Sequence, residues 1–132
     1  MKKWMKRMVF ALCVLGLCFL GIALWATDVV QEQLASLIYE NVSLTHVADG
    51  THYGETEARL VSVKVAVLVK NYIIQSVELL QHDSGLGRKA ETIVWEMVKE
   101  NDWAVDAISG ATLSSEAIKS AVSKALAAGQ ME

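Results

Sequence analysis

Val61-Ser62-Val63-Lys64-Val65-Ala66-Val67-Leu68-Val69-Lys70-Asn71-Tyr72 is the stretch on which the fold turns. Valine recurs at every second place, so one face of an extended chain is wholly β-branched and apolar, the pattern of a strand laid on a core. Ser62 and Lys64 give the early half a polar second face, whereas residues 66–69 are apolar on both sides and are expected to be covered on both. Lys70-Asn71-Tyr72 reads as a hairpin connection, because Asn tolerates the left-handed backbone that tight turns need. A second strand is expected over residues 73–80.

Beyond the hairpin the period changes. Ala90, Ile93, Val94, Met97 and Val98 form an apolar stripe at helical spacing, starting near Gly87 or Arg88 and ending at Asn101 and Asp102. A short strand is expected over residues 103–108. A last helix over residues 115–128 places Ala117, Ile118, Ala121, Val122, Ala125 and Leu126 on one side and stops near Gly129. Strand hairpin, helix, strand, helix is an α+β order, a small and mostly antiparallel sheet packed against two helices.

The last strand and the last helix are joined by Asp106-Ala107-Ile108-Ser109-Gly110-Ala111-Thr112-Leu113-Ser114-Ser115. Small residues let the backbone approach an anion, the free N–H groups of a helix start point outward, and Thr112 adds a hydroxyl. The commoner use of Ser109 or Thr112 in such a place is to cap the helix.

The Asp-x-x-Ser-Gly-Ala-Thr pattern of residues 106–112, continued by Leu113, Ser114 and Ser115, resembles the flavinylation motif of the FMN-binding domain family. That family includes flavin-carrying subunits of the sodium-translocating NADH:quinone reductase and of the ferredoxin:NAD oxidoreductase complexes. The resemblance extends to Asp49-Gly50-Thr51-His52-Tyr53-Gly54-Glu55 and to His82-Asp83-Ser84-Gly85-Leu86-Gly87, and spans residues 49–127. Tyr53 stands one place later than in the family, and the proline the family often has ahead of its Gly-Leu-Gly loop is missing from a chain that has none. The resemblance implies that Thr112 carries FMN through a phosphoester bond installed by a flavin transferase from FAD. Ser109, Gly110 and Ala111 would present Thr112, with Asp106 at the head of the motif, and His82, Gly85, Leu86 and Gly87 would stand near the flavin.

The N-terminus is of another kind. Lys2, Lys3, Lys6 and Arg7 precede an uncharged run over residues 8–27, and Trp4 and Trp25 stand near its ends. Twenty helical residues span about 30 Å, enough to cross the lipid core, and the positive-inside rule keeps the basic end in the cytoplasm. A cleaved signal peptide shares the basic start, but its apolar part is shorter, and Trp25 spoils the small-x-small site. The run therefore reads as an uncleaved anchor in the cell membrane, one N-terminal transmembrane helix contacting lipid through residues 8–27. Cys13 and Cys18 lie inside it and read as apolar membrane-helix residues.

The expected organisation is a basic end and anchor over residues 1–27, an amphipathic stalk or linker helix over 28–45, and one extracytoplasmic domain over 46–132. Past residue 27 the chain holds eight basic and 15 acidic residues, a balance of −7. So acidic a domain is a poor partner for nucleic acid. His46, His52 and His82 are expected in separate surface loops, without the close pairing of a zinc site. Trp95 and Trp103 are of a kind that stacks on flavin rings, although packing is the commoner use. With no nucleophile and base pair and no nicotinamide fingerprint, the reading is an electron-transfer module of a membrane or extracellular chain, working with membrane redox partners, rather than an autonomous enzyme. The alternatives are a noncovalent FMN oxidoreductase and a flavin-free anchored interaction domain.

Overall fold

The computed structural model describes residues 2–85 and 87–131. It divides into two compact units, Met1–Glu32 and Gln33–Glu132. The first is the greater part of helix α1 (Lys2–Ser36), whose apolar residues stand exposed. This helix is long and apolar enough to cross a membrane, and its length, composition and N-terminal place fit a signal sequence equally. The stalk does not form a helix as far as residue 45. Helix α1 stops at Ser36, and the chain then runs without regular structure to a 3₁₀ turn at Leu44–His46.

The second unit is α+β. Strands β1 (Gly50–Ala58), β2 (Val61–Lys70) and β3 (Ile73–Ser84) form an antiparallel sheet in that order. A 3₁₀ turn (Gly87–Thr92) leads into α2 (Ile93–Glu100), and α3 (Thr112–Ala128) closes the fold. The valine pattern sets the centre. Val61, Val63, Val65, Val67 and Val69 are all at most 5% exposed and face the helices. Burial of each contributes roughly 1.5 kcal/mol or more. On the other face Ala66 is buried between its cross-strand neighbours Tyr53 and Glu78, but Leu68 is 39% exposed. The double cover expected over residues 66–69 is thus incomplete.

The hairpin is as read. Asn71 and Tyr72 both have positive φ, 52° and 63°, the backbone of a two-residue turn that matches strand twist. Asp49 Oδ1 accepts the Asn71 N–H at 2.7 Å, and Asn101 Oδ1 accepts the Ile74 N–H at 2.8 Å. Asn101, left-handed at the end of α2, therefore joins that helix to the start of β3. Strand β3 runs to Ser84 rather than Leu80 because two bulges insert extra residues opposite Lys64/Val65 and Leu68/Val69. Each bulge shifts the inward phase by one residue, so Ile74, then Val77 and Leu79, then His82 share a face with the valines.

Three further differences from the sequence reading stand out. The Asp49–Glu55 motif is no loop: most of it is strand β1. There Gly54 faces α3, where an added Cβ would lie 2.1 Å from the Ala121 carbonyl oxygen. Residues 103–108 join no strand. Trp103, Val105 and Ile108 pack half-buried on the core, while Asp102 Oδ1 takes the Ala104 N–H at 2.9 Å in a local turn. Helix α3 begins three residues before the expected start at Ser115.

Small side chains let α3 lie close on the sheet, and its serines bind neighbours. Ser120 Oγ accepts from Thr56 Oγ1 at 3.0 Å and donates to the Ile38 carbonyl, and Ser123 Oγ accepts the Glu40 N–H at 3.2 Å. Residues 37–40 thus run as a strap along the helix, held at one end by buried Leu37.

Candidate cofactor site

The site is built at the start of α3. Ile108, Ser109, Gly110 and Ala111 form a turn closed by the Ala111 N–H to the Ile108 carbonyl at 3.0 Å. Gly110 has φ 80°, which the third position of a type II turn demands and which side chains resist. Ser115 locks this turn to the helix. Its buried Oγ donates to the Ala111 carbonyl at 2.8 Å and accepts the Ile108 N–H at 3.0 Å. Its hydroxyl is therefore committed to the protein.

Neither Ser109 nor Thr112 caps the helix. Ala111 occupies the cap position, with φ −140° and ψ 40° and no side-chain hydrogen bond. Thr112 is the first helical residue and is exposed. The N–H groups of a helix's first turn lack intrahelical acceptors, so a donor-rich, positive helix end and an exposed hydroxyl meet here. Ser109 is exposed beside them, Leu113 is half-buried and Ser114 is buried. Asp106 is exposed further back along the chain.

The second motif comes to the same place. A Cβ at Gly87 would stand 1.8 Å from Ser114 Oγ and 3.0 Å from Ser84 Oγ, so the chain after β3 lies directly on the first turn of α3. Gly85 is exposed there, and Leu86 lies outside the described residues. His82 belongs to β3 and not to a surface loop. It faces inward with its side chain 3% exposed, 3.0 Å from Glu91 through Nδ1, and its buried Nε2 has no partner among the described residues. The first motif is elsewhere: Gly54 packs against the middle of α3 and Tyr53 points from the opposite face, 65% exposed.

Two surfaces flank this helix start. One is a cleft of ≈ 680 Å³ lined by Ser109 and by Lys89, Glu96, Glu100, Asp102 and Asp106. Its volume suits a small ligand, and four of its side chains are carboxylates. The other is aromatic. Tyr39, in the strap, stacks on Trp103 with ring centroids 6.1 Å apart and planes at 17°. The Tyr39 hydroxyl donates to Glu116 Oε2 at 2.6 Å, and Lys119 donates to Glu116 Oε1 at 3.1 Å. Burial, then the hydrogen bond and charge of Glu116, raise the phenol well above its ordinary range. Trp95, by contrast, is 73% exposed on the outer side of α2, so it does not serve as core.

Sequence reasoning did not single out Tyr39 or Glu116. The sequence places Tyr39 in the stalk, and no local pattern announces a contact with a residue 77 positions on. Among the described residues, no three His, Cys, Asp or Glu side chains gather as a metal site.

The exposed Thr112 hydroxyl, the free helix start and the adjoining cleft suit a phosphate-bearing ligand of flavin size. The sequence model of the FMN-binding domain family matches residues 60–127, from the turn before β2 to the last turn of α3. No curated protein and no solved structure matches the chain. The matched region covers just over half of the 132 residues and contains both the Ser84 to Gly87 approach and the whole turn that presents Thr112. The chain belongs to the FMN-binding domain family.

Proposed function

We propose that this protein is a membrane-anchored flavoprotein whose domain lies outside the cytoplasm, carries FMN as a phosphoester on Thr112, and relays electrons between partner proteins of a membrane or extracellular chain. The observation that carries the reading is the exposed, uncapped Thr112 at the head of α3, inside the family match. A helix-capping role would have engaged a side-chain hydroxyl, and none is engaged there.

The chain's own residues have three tasks. Gly110 and the Ser115 bridge hold the turn so that the Thr112 hydroxyl projects from the helix end. The N–H groups of the first turn then offset the charge of an attached phosphate, a contribution of about 0.3–1 kcal/mol near the surface. In maturation, the Thr112 hydroxyl exchanges its hydrogen for the FMN phosphoryl group of FAD and AMP leaves, a flavin transferase supplying the catalysis. When bound, FMN accepts and donates electrons singly or in pairs.

A covalent bond suits a site outside the cytoplasm, where a lost cofactor has no local replacement. The reading is of a carrier rather than an enzyme with its own substrate. The test is the intact mass of the full chain, coexpressed with a flavin transferase, beside Thr112→Ala. An increase equal to FMN less water in the parent and absent from the variant is expected. An unmodified parent in the presence of an active transferase defeats the reading.

A further inference from the structure

We infer that the tip of the β2–β3 hairpin, Lys70 to Ile73, is a membrane-contact site that seats Tyr72 and Ile73 in the interface of a phospholipid bilayer. The inference rests on the proposed anchoring, which keeps a bilayer within reach, and goes beyond it by naming the surface that meets the lipid.

The turn itself is the first observation. A two-residue turn with positive φ at both places favours glycine at the second. That place is held here by Tyr72, at φ 63°. A bulky side chain on such a backbone is strained. What the fold takes from Tyr72 is main chain: its carbonyl accepts Asn101 Nδ2 at 3.3 Å, as a glycine carbonyl would. The ring is 52% exposed and stands against the preference of its own backbone. Strain of this kind collects where a side chain has work at a surface.

Chemistry then selects the occupant. Ile73 and Leu68 are 48% and 39% exposed at this end of the sheet, and Lys70 is exposed between them. Met131, 55% exposed, lines one pocket with Tyr72 and Val47. An amphipathic ring, apolar side chains and a lysine whose stem can lie in lipid while its charge stays wet are the set that settles at a bilayer surface. Lys70 and Asp49, which binds the turn at Asn71, are of opposite charge, so an uncharged lipid surface suits the tip. A protein interface takes about 800 Å² from each partner, more than a four-residue tip offers. The same chain carries a helix long and apolar enough to cross a membrane.

The site also has a consequence for Thr112. At the other end of β2, Val61 pairs with Ser84, and Ser84 lies by Gly87 and the first turn of α3. The ten residues of β2, about 30 Å of strand, separate the two ends. A tip seated in lipid leaves Thr112 clear of the bilayer and open to the transferase and to partners outside the membrane.

The test uses the full chain in phosphatidylcholine nanodiscs, with methyl-labelled isoleucine and a lipid that carries a nitroxide near its headgroup. Ile73 and Ile108 report the two ends of the domain, and Ile22 reports the anchor. The Ile22 and Ile73 signals are expected to lose more than half of their intensity, and Ile108 to keep its own. Tyr72→Gly relieves the turn, so it is expected to fold at least as well as the parent and to recover the Ile73 signal. An unbroadened Ile73 in the parent, or Ile73 equally broadened in Tyr72→Gly, overturns the inference. If Ile22 is unbroadened, it is the anchoring that has failed. Sedimentation of the chain with phosphatidylcholine vesicles then decides, and no co-sedimentation, or as much with Tyr72→Gly as with the parent, overturns the site.

Discussion

Gly54 and Gly110 stand in two motifs that look alike on paper, each a small residue among polar ones, and the structure uses them in opposite ways. Gly54 lies inside, where the missing side chain lets strand β1 touch the backbone of α3 at Ala121 and Ala125. Gly110 lies outside, with nothing within 4 Å of where its side chain would be, and is required for its φ of 80°. One glycine answers a demand for space and the other a demand for backbone conformation. A glycine-rich motif thus marks a binding turn only when the second demand is the operative one.

The contrast can be broken by substitution. Gly54→Ala drives a Cβ to 2.1 Å from the Ala121 carbonyl oxygen and 2.6 Å from the Ala125 nitrogen, neither of which can move without shifting α3. A loss of about 3 kcal/mol in chemical denaturation is expected. A variant of parental stability would show that the helix is free to retreat from the sheet.

Gly110→Ala meets no steric neighbour and is expected to cost about 1 kcal/mol through left-handed backbone strain alone. Its effect on flavinylation, followed as mass gain against time, is expected to exceed that of Gly54→Ala in variants matched for folded fraction. The reverse order would place the binding turn at Gly54.

The smallest effect concerns the strap on the same helix. The Tyr39 phenol is raised above its ordinary value near 10 by burial and by Glu116. Its stabilising effect is therefore complete below pH 10 and is lost as pH rises through the higher folded value, because the unfolded chain gives up the proton first. Thermal melting from pH 9 to 11 is expected to fall more steeply in the parent than in Tyr39→Phe. Equal slopes would mean that the phenol hydrogen bond does not survive in solution.

Much of the fold was legible because it is local. Alternation over residues 61–69 specifies a strand with one buried face, and the stripe from Ala90 to Val98 specifies a helix. Residues 103–108 show where this stops: Trp103, Val105 and Ile108 have strand-forming character, but a strand exists only by pairing, and they pack on the core instead. His82 shows the same limit. It faces inward because β3 runs on past Leu80 to pair with Val63, and such pairing is a property of two strands rather than one. At the site, Thr112 and Gly110 were legible because turn and helix start are adjacent in sequence. The commitment of Ser115 and the Tyr39, Trp103 and Glu116 cluster were not, since each depends on backbone phase or on residues far apart along the chain.

By itself the sequence determined the long apolar N-terminal helix, the valine strand and its Asn71 turn, the family, and the residue that offers a hydroxyl at a helix start. These depend on periodicity and on short-range stereochemistry, which neighbouring residues impose on one another. Only the tertiary structure decided that Ala111 rather than Ser109 or Thr112 sits at the cap, that Gly54 serves packing, and that the strap brings Tyr39 to the helix bearing Thr112. Those outcomes depend on which surfaces meet, and pairing energies between distant segments leave no period in the chain.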